Sequence, residues 1–243
     1  LPGRLRKLNP MAMAEPDRVT ERYARRGTDP ALADRYSLLQ PDVWQTVQER
    51  QRAMLQLLAR CGWHDLRERR LLEVGCGAGG NLLEFLRMGW QPEHLAGIEL
   101  LPERHAHARA VLPERVALHL GDACTAPIAE ASCDLVFQAT VFSSLLDDAF
   151  QQRLAAAMWR WVKPGGAVLW YDFTVDNPRN RDVRGVPLRR VRALFPEGRI
   201  EARRVTLAPP LARAACRVWP GWYPVLNAVP VLRTHVLAWV AKA

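Results

Sequence analysis

In "LLEVGCGAGGNLLEF", residues 71–85, four glycines fall within six residues between an apolar run and a helix-like one. Glycines at such a bend permit dihedrals and a backbone approach that side chains would block. The start of the helix that follows offers free N–H groups to an anionic or polar ligand. The spacing has two readings. Gly75-x-Gly77-x-x-Gly80 is a dinucleotide fingerprint, whereas Gly75-x-Gly77-x-Gly79 is the nucleoside loop of another large class of enzymes. Glu99 lies 24 residues beyond Gly75, where a carboxylate can accept two ribose hydroxyls. Gly121-Asp122-Ala123 adds an acid that can accept from an exocyclic amine and a backbone N–H that can donate to a ring nitrogen. Either acid alone reads equally well as a helix cap. Together they point to a nucleoside-containing ligand.

These residues must be carried by elements that bring them to one edge. Short apolar runs at Arg70–Gly75, Leu95–Glu99, Val116–Leu120, Leu135–Gln138 and Ala167–Phe173 are predicted strands. Gly79–Met88, Pro102–Val111 and Asp147–Trp161 are predicted helices between them. Apolar strands alternating with helices imply a parallel sheet covered on both faces. In such sheets ligands sit at the carboxyl ends of the strands, where the glycine loop, Glu99 and Asp122 all fall. Two late strands, Ile200–Leu207 and Leu232–Val240, have no strong helix signal between them and read as an antiparallel pair closing the sheet. Upstream, Glu15 to Arg60 reads as helical, broken around Gly27–Pro30 and near Pro41.

The motifs "LLEVGCGAGGNLLEFL", "AGIELLPE", "HLGDA", "CDLVFQATVFSSL" and "WVKPGGAVLWYDF" together resemble those of class I S-adenosylmethionine-dependent methyltransferases, in order and spacing, over residues 71–173. The resemblance implies an α/β fold, a Rossmann-like, doubly wound, seven-stranded, mostly parallel sheet with an antiparallel last strand. It implies S-adenosyl-L-methionine as cofactor, with S-adenosyl-L-homocysteine as product. Glu73 and the loop of Gly75, Cys76, Gly77 and Gly79 would flank the methionine part, and Gln138 would line it. Glu99, with Leu100 after it, would hold the ribose, and Asp122 and Ala123 the adenine. The stretch "YDFTVDNPRNRDVRGVPLRRVRALFP" resembles a branch acting in small-molecule, glycolipid and polysaccharide pathways. In that branch residues upstream of the first strand, here Tyr23, Arg26, Arg35 and Tyr36, form a lid, and Tyr23 or Arg26 would meet the cofactor carboxylate. The expected organisation is a tag or disordered tail at 1–14, a helical lid at 15–66, and a core at 67–243 with an insertion at 207–231.

A sulfonium already activates its methyl group, so alignment and water exclusion are the main tasks of such an enzyme. A hydroxyl or amine acceptor can still require a general base, and Asp172, Tyr171 and His235 are the candidates at the carboxyl edge. The fourth-strand loop reads "QATVFSS", without the Pro-Pro-aromatic pattern of enzymes that methylate exocyclic base amines or glutamine. No Pro-Cys follows that strand either. The expected reaction is O- or N-methylation of a small-molecule or lipid- or sugar-linked acceptor. RNA-directed methylation and NAD(P)-dependent oxidoreduction through Gly80 are the alternatives; "GDA" and "VKPGG" speak against the latter.

Composition sets the remaining bounds. The 243 residues, 49% hydrophobic and 24% charged, suit one large globular domain. No apolar run reaches the roughly 18 to 20 residues of a membrane span. Five cysteines without CxxC spacing predict neither zinc nor disulfides and suit a reducing, cytoplasmic setting. The net charge of +9 includes nine arginines between Arg179 and Arg204, opposed by three acids. That run is either a solvated face or a site for an anionic partner such as phosphate, nucleic acid or a membrane surface. The aromatic, Pro-rich insertion with Trp219, Trp222 and Tyr223 would wall an apolar acceptor pocket or contact a membrane peripherally.

Overall fold

A computed structural model describes residues 13–27, 37–177 and 180–243, without the side chains of residues 26 and 27. Arg35, Tyr36, Arg179 and the side chain of Arg26 therefore lie outside the described residues. One sheet of seven strands organises the described chain: β1 (Leu71–Val74), β2 (Leu95–Glu99), β3 (Ala117–Leu120), β4 (Cys133–Ala139), β5 (Val162–Phe173), β6 (Arg199–Leu207) and β7 (Arg233–Ala241). Their order is β3-β2-β1-β4-β5-β7-β6, with β7 antiparallel to both neighbours and the other pairings parallel. The chain starts in the middle and winds outward through β2 to β3, then returns to place β4 on the other side of β1. The crevice where the strand order reverses thus lies between β1 and β4.

The helices are α1 (Glu15–Gly27), α2 (Pro41–Arg60), α3 (Gly80–Met88), α4 (Pro102–Val111), α5 (Asp148–Trp161), α6 (Leu188–Leu194), α7 (Pro209–Val218) and α8 (Trp222–Asn227). Strand side chains alternate between the two faces of the sheet. On one face Leu72, Val74, Val136 and Trp170 form a core with α5, α6 and Val19 of α1. On the other, Leu71, Phe137, Leu169 and Trp239 pack on α2, α3 and α4. Both faces are buried, so the central strands read as continuous apolar runs. The segment 15–66 is accordingly divided: α1 lies on the first face and α2 on the second. Edge strand β6 carries Arg199, Glu201, Arg203 and Arg204, charges that discourage pairing with another strand.

Two expectations need correction. The stretch between the last two strands is helical, as α7 and α8, and encloses a small core of Leu207, Ala212, Cys216 and Tyr223. Pro209 and Pro210 stand in the first turn of α7, where a missing N–H costs nothing, so they begin the helix rather than break it. The arginine run is no single face. It is distributed over the loop before α6, α6 itself and β6, and Arg184 and Arg190 pair with Asp148 of α5.

Candidate active site

The β1 register places Val74 beside Ile98, one residue before Glu99, so the glycine loop and Glu99 emerge at the same edge. Gly75 and Cys76 both donate their N–H to the Ile98 carbonyl, at 2.8 and 3.0 Å, which ties the loop to β2. Gly75, Gly77 and Gly79 have φ of 68°, 57° and 87°, left-handed values that favour glycine. A Cβ on Gly75 would stand 2.6 Å from Val141 Cγ2, and one on Gly79 would stand 2.9 Å from Leu112 Cδ1. Gly79 caps α3, whose first residue is Gly80. Cys76 packs over Gly97, at 2.7 Å from where its Cβ would be, and burial raises the thiol pKa.

Glu99 is buried, and both its oxygens are held by the backbone. Gly77 N–H donates to Oε2 at 2.8 Å and Leu101 N–H to Oε1 at 2.9 Å. The carboxylate is thereby fixed at the mouth of the loop, with further lone pairs for hydroxyl donors. Asp122 Oδ1 accepts from Cys124 N–H at 2.9 Å and so caps a short turn. That cap occupies one of its two oxygens.

A cavity of about 160 Å³ opens between these groups on the α5 face. Its floor is Val74, Gly75 and Ile98, and one wall is Glu99, Leu100 and Leu101. Gly121, Asp122 and Ala123 form the next side, and Ala139, Thr140 and Val141 the opposite one. The expected Gln138 does not border it. This glutamine is fully buried, donates to the Tyr171 carbonyl at 3.3 Å and accepts from Val141 N–H at 3.0 Å, holding the turn whose next residues do border it.

Helix α1 roofs the cavity with Pro16, Val19 and Tyr23. Its clasp is a buried ion pair: Arg22 Nη2 donates to Glu15 Oε1 at 2.6 Å and to the Ser144 carbonyl at 2.9 Å. Leu146 N–H donates to the same Glu15 oxygen at 2.8 Å. Arg104 of α4 stacks over the Tyr23 ring at 4.4 Å. Sequence reasoning passed over Glu15, Arg22, Arg104, Thr140 and Ser144. Glu15, Val19 and Arg22 share one face of α1 at spacings of four and three, but two of the three are charged, and an apolar-periodicity search is blind to them.

The other expected residues separate. Glu73 points to the α2 face, wholly buried; it accepts from Asn81 Nδ2 at 2.6 Å, and burial pushes its carboxyl up to about 8. Arg50 of α2 bridges Asn81 and Glu84 above it. Tyr171 and His235 stack on that same face, ring centroids 5.0 Å apart. Burial pushes Tyr171 up to about 12, and burial with the nearby Arg50 cation lowers His235 to about 4. Asp172 lies on the cavity face but is fully buried, accepting from Ser143 N–H at 3.1 Å and from its own neighbour Phe173. Burial raises it to about 7. None of these three borders the cavity. Among the described residues no cluster of His, Cys, Asp and Glu is arranged to hold a metal.

The cavity therefore offers a buried acid at the end of β2, a second acid after β3, and a glycine loop with no side chains at the end of β1. The two acids beside a loop without side chains fit the hydroxyls and the amine of a nucleoside. Residues 71–166 match a family described as a methyltransferase domain. Known structures agree in fold. The putative sarcosine dimethylglycine methyltransferase of Galdieria sulphuraria superposes with a TM-score of 0.60 at 14% identity, over 82% of this chain and 88% of that one. Phosphoethanolamine N-methyltransferase 2 of Haemonchus contortus, solved with S-adenosyl-L-methionine, gives 0.57 at 21% identity, over 78% and 52%. A curated relative, a tRNA N(3)-cytidine methyltransferase of Mus musculus, is 28% identical over 116 residues. That match takes in 43% of this chain and only 28% of the relative's length. Over residues 71–166 the chain thus carries a methyltransferase domain, in the Rossmann-like fold shared with solved S-adenosylmethionine-dependent methyltransferases.

Proposed function

We propose that this protein methylates a small-molecule or lipid- or sugar-linked acceptor at oxygen or nitrogen, by in-line displacement. The observation that carries the reading is the roof. A helix clasped by a buried ion pair across the cofactor cavity suits an enclosed reaction better than an open polymer groove. The bound cofactor supplies the methyl group, already activated by the sulfonium. The chain's work is to hold and align. Glu99 takes the ribose hydroxyls, Asp122 and Ala123 take the adenine, and the loop from Gly75 to Gly79 flanks the methionine part, while Glu73 supports that loop from the opposite face through Asn81. Tyr23 and Arg26 of α1 would meet the cofactor carboxylate. Closure by α1 excludes water from the methyl group.

Asp172 is better placed to position than to take a proton, because its two oxygens already accept from Ser143 N–H and Phe173 N–H. Tyr171 and His235 are held as bases only for an acceptor that approaches from the α2 face. RNA is the second reading, favoured by the similarity to the mouse tRNA enzyme.

Incubating the full chain with methyl-tritiated S-adenosyl-L-methionine and a cell extract separates the two readings. Label is expected in the solvent-extractable or small-molecule fraction. Label confined to an RNase-sensitive fraction would replace the first reading with the second.

A further inference from the structure

Strands β5 and β6 each run antiparallel to β7, so β6 runs with the parallel strands and ends, at Leu207, on the carboxyl edge of the sheet. Helices α7 and α8 fill the connection from there to Arg233 and project from that edge, the one at which the cofactor cavity opens. Their inner side packs on the small core of Ala212, Cys216 and Tyr223. Their outer side is apolar. Along α7, Leu211, Ala214 and Val218 are exposed at spacings of three and four, so they form one stripe. Trp222, Val225 and Val229 repeat that spacing through α8 and the turn after it, all exposed. The rings of Trp219 and Trp222 meet edge to face, centroids 6.2 Å apart, and join the two stripes. The most exposed large apolar side chains of the unit are aliphatic, Val218 at 79% and Val231 at 77%. Gln45 of α2 donates to the Pro220 carbonyl at 3.3 Å and ties the unit to the start of that helix, just before which Leu38 and Leu39 are also exposed.

The charges carried by this unit have one sign. Arg213 and Arg217, four apart on α7, lie beside its apolar stripe, and Arg233 follows the last turn. After Glu201 the chain holds six basic residues and no acid. The acids that α2 brings near are Asp42, close to Cys216 on the inner side of α7, and Glu49, whose Oε2 accepts from Thr206. We propose that the outer face of α7 and α8 docks peripherally on an anionic membrane surface. Joined apolar stripes left bare on a folded chain mark a contact surface. Arginines beside aliphatic and indole side chains complement an anionic bilayer in particular. The aliphatic groups enter the headgroup boundary, the indoles favour that interface, and the guanidinium groups meet lipid phosphates. Docking turns the edge that carries the cofactor cavity towards the bilayer. It does not depend on which acceptor is methylated.

The test sediments the full chain with phosphatidylcholine vesicles, with and without phosphatidylglycerol, over a range of salt. Binding that needs phosphatidylglycerol and weakens with salt is expected. Three variants are compared with the natural chain. Val218→Ser with Val231→Ser removes the two most exposed aliphatic groups and leaves the Trp219–Trp222 pair in place. Arg213→Glu with Arg217→Glu reverses the charge beside the stripe. Val111→Ser with Val175→Ser removes exposed apolar groups elsewhere. Each of the first two variants should weaken vesicle binding about tenfold or more, with melting temperature and S-adenosyl-L-homocysteine affinity unchanged, and the third should not. No sedimentation with anionic vesicles, or equal binding by all of these proteins, overturns the proposal. So does a dimer in sedimentation velocity that Val218→Ser with Val231→Ser dissociates, because the face is then a contact between copies of the chain.

Discussion

Gly75 is the residue at which the cofactor site is least tolerant. Its φ is 68°, and a Cβ placed on it would meet Val141 Cγ2 at 2.6 Å, which leaves no room for a side chain. Gly75→Ala is expected to weaken S-adenosyl-L-homocysteine binding at least tenfold by calorimetry. Adding Val141→Ala should restore part of that, since it removes the contact but not the backbone strain of about 1 kcal/mol. Glu73 supports a different prediction. Its carboxyl titrates near 4.5 when unfolded and at about 8 in the fold, so between those values the folded state binds the extra proton. Stability conferred by the protonated form is complete below about pH 4.5 and lost as pH rises towards 8. Glu73→Gln removes that loss. The melting temperature of the variant minus that of the natural protein should therefore increase from pH 5 to pH 8.5, by several degrees at about 2–4 °C per kcal/mol. A difference independent of pH would show that Glu73 is ionised throughout. Residue types at this scale were legible where chemistry demands them: Glu99 and Asp122 stand at strand ends as their spacing required. Gln138 pairs with Val74 on the cavity face, but its amide is engaged by the Tyr171 carbonyl and the Val141 N–H, a pairing that no spacing in the sequence shows.

Among the elements, α1 controls access. It docks through Glu15 and Arg22 rather than through a broad apolar stripe, and removing one partner leaves the other charge buried, at a cost of about 3–5 kcal/mol. Arg22→Leu is expected to release α1, seen as accelerated amide exchange over residues 15–27 with the sheet's protection unchanged. Cofactor affinity should fall with it. Unaltered exchange in α1 would mean that Val19 and Tyr23 suffice to hold the roof. The strands were legible because a doubly covered parallel sheet demands long apolar runs; β2 begins and ends where the residues place it. Helices α7 and α8 were not, since their prolines resemble breakers until the first turn of α7 is seen to contain two of them. The seven-residue α6 is too short to show a period.

At the scale of the molecule, two faces do different work. The α5 face carries the cofactor cavity and its roof, and the α2 face buries Glu73, Tyr171 and His235 beneath Arg50. Among the described residues no helix is long and apolar enough to cross a membrane. The fold class followed from the alternation of strands and helices, and the antiparallel last strand from the family resemblance, since α7 and α8 make the connection long enough for either direction. The acceptor was not legible, because it depends on the loops and helices that roof the sheet, where no periodicity constrains the residues. Calorimetric titration of S-adenosyl-L-homocysteine into the natural chain and into Glu99→Gln tests the central claim most directly. One site per chain is expected, weakened about 10- to 100-fold in the variant by the loss of a charge-assisted hydrogen bond of about 1.5–3 kcal/mol. No binding to the natural chain, or equal affinity in Glu99→Gln, would contradict it.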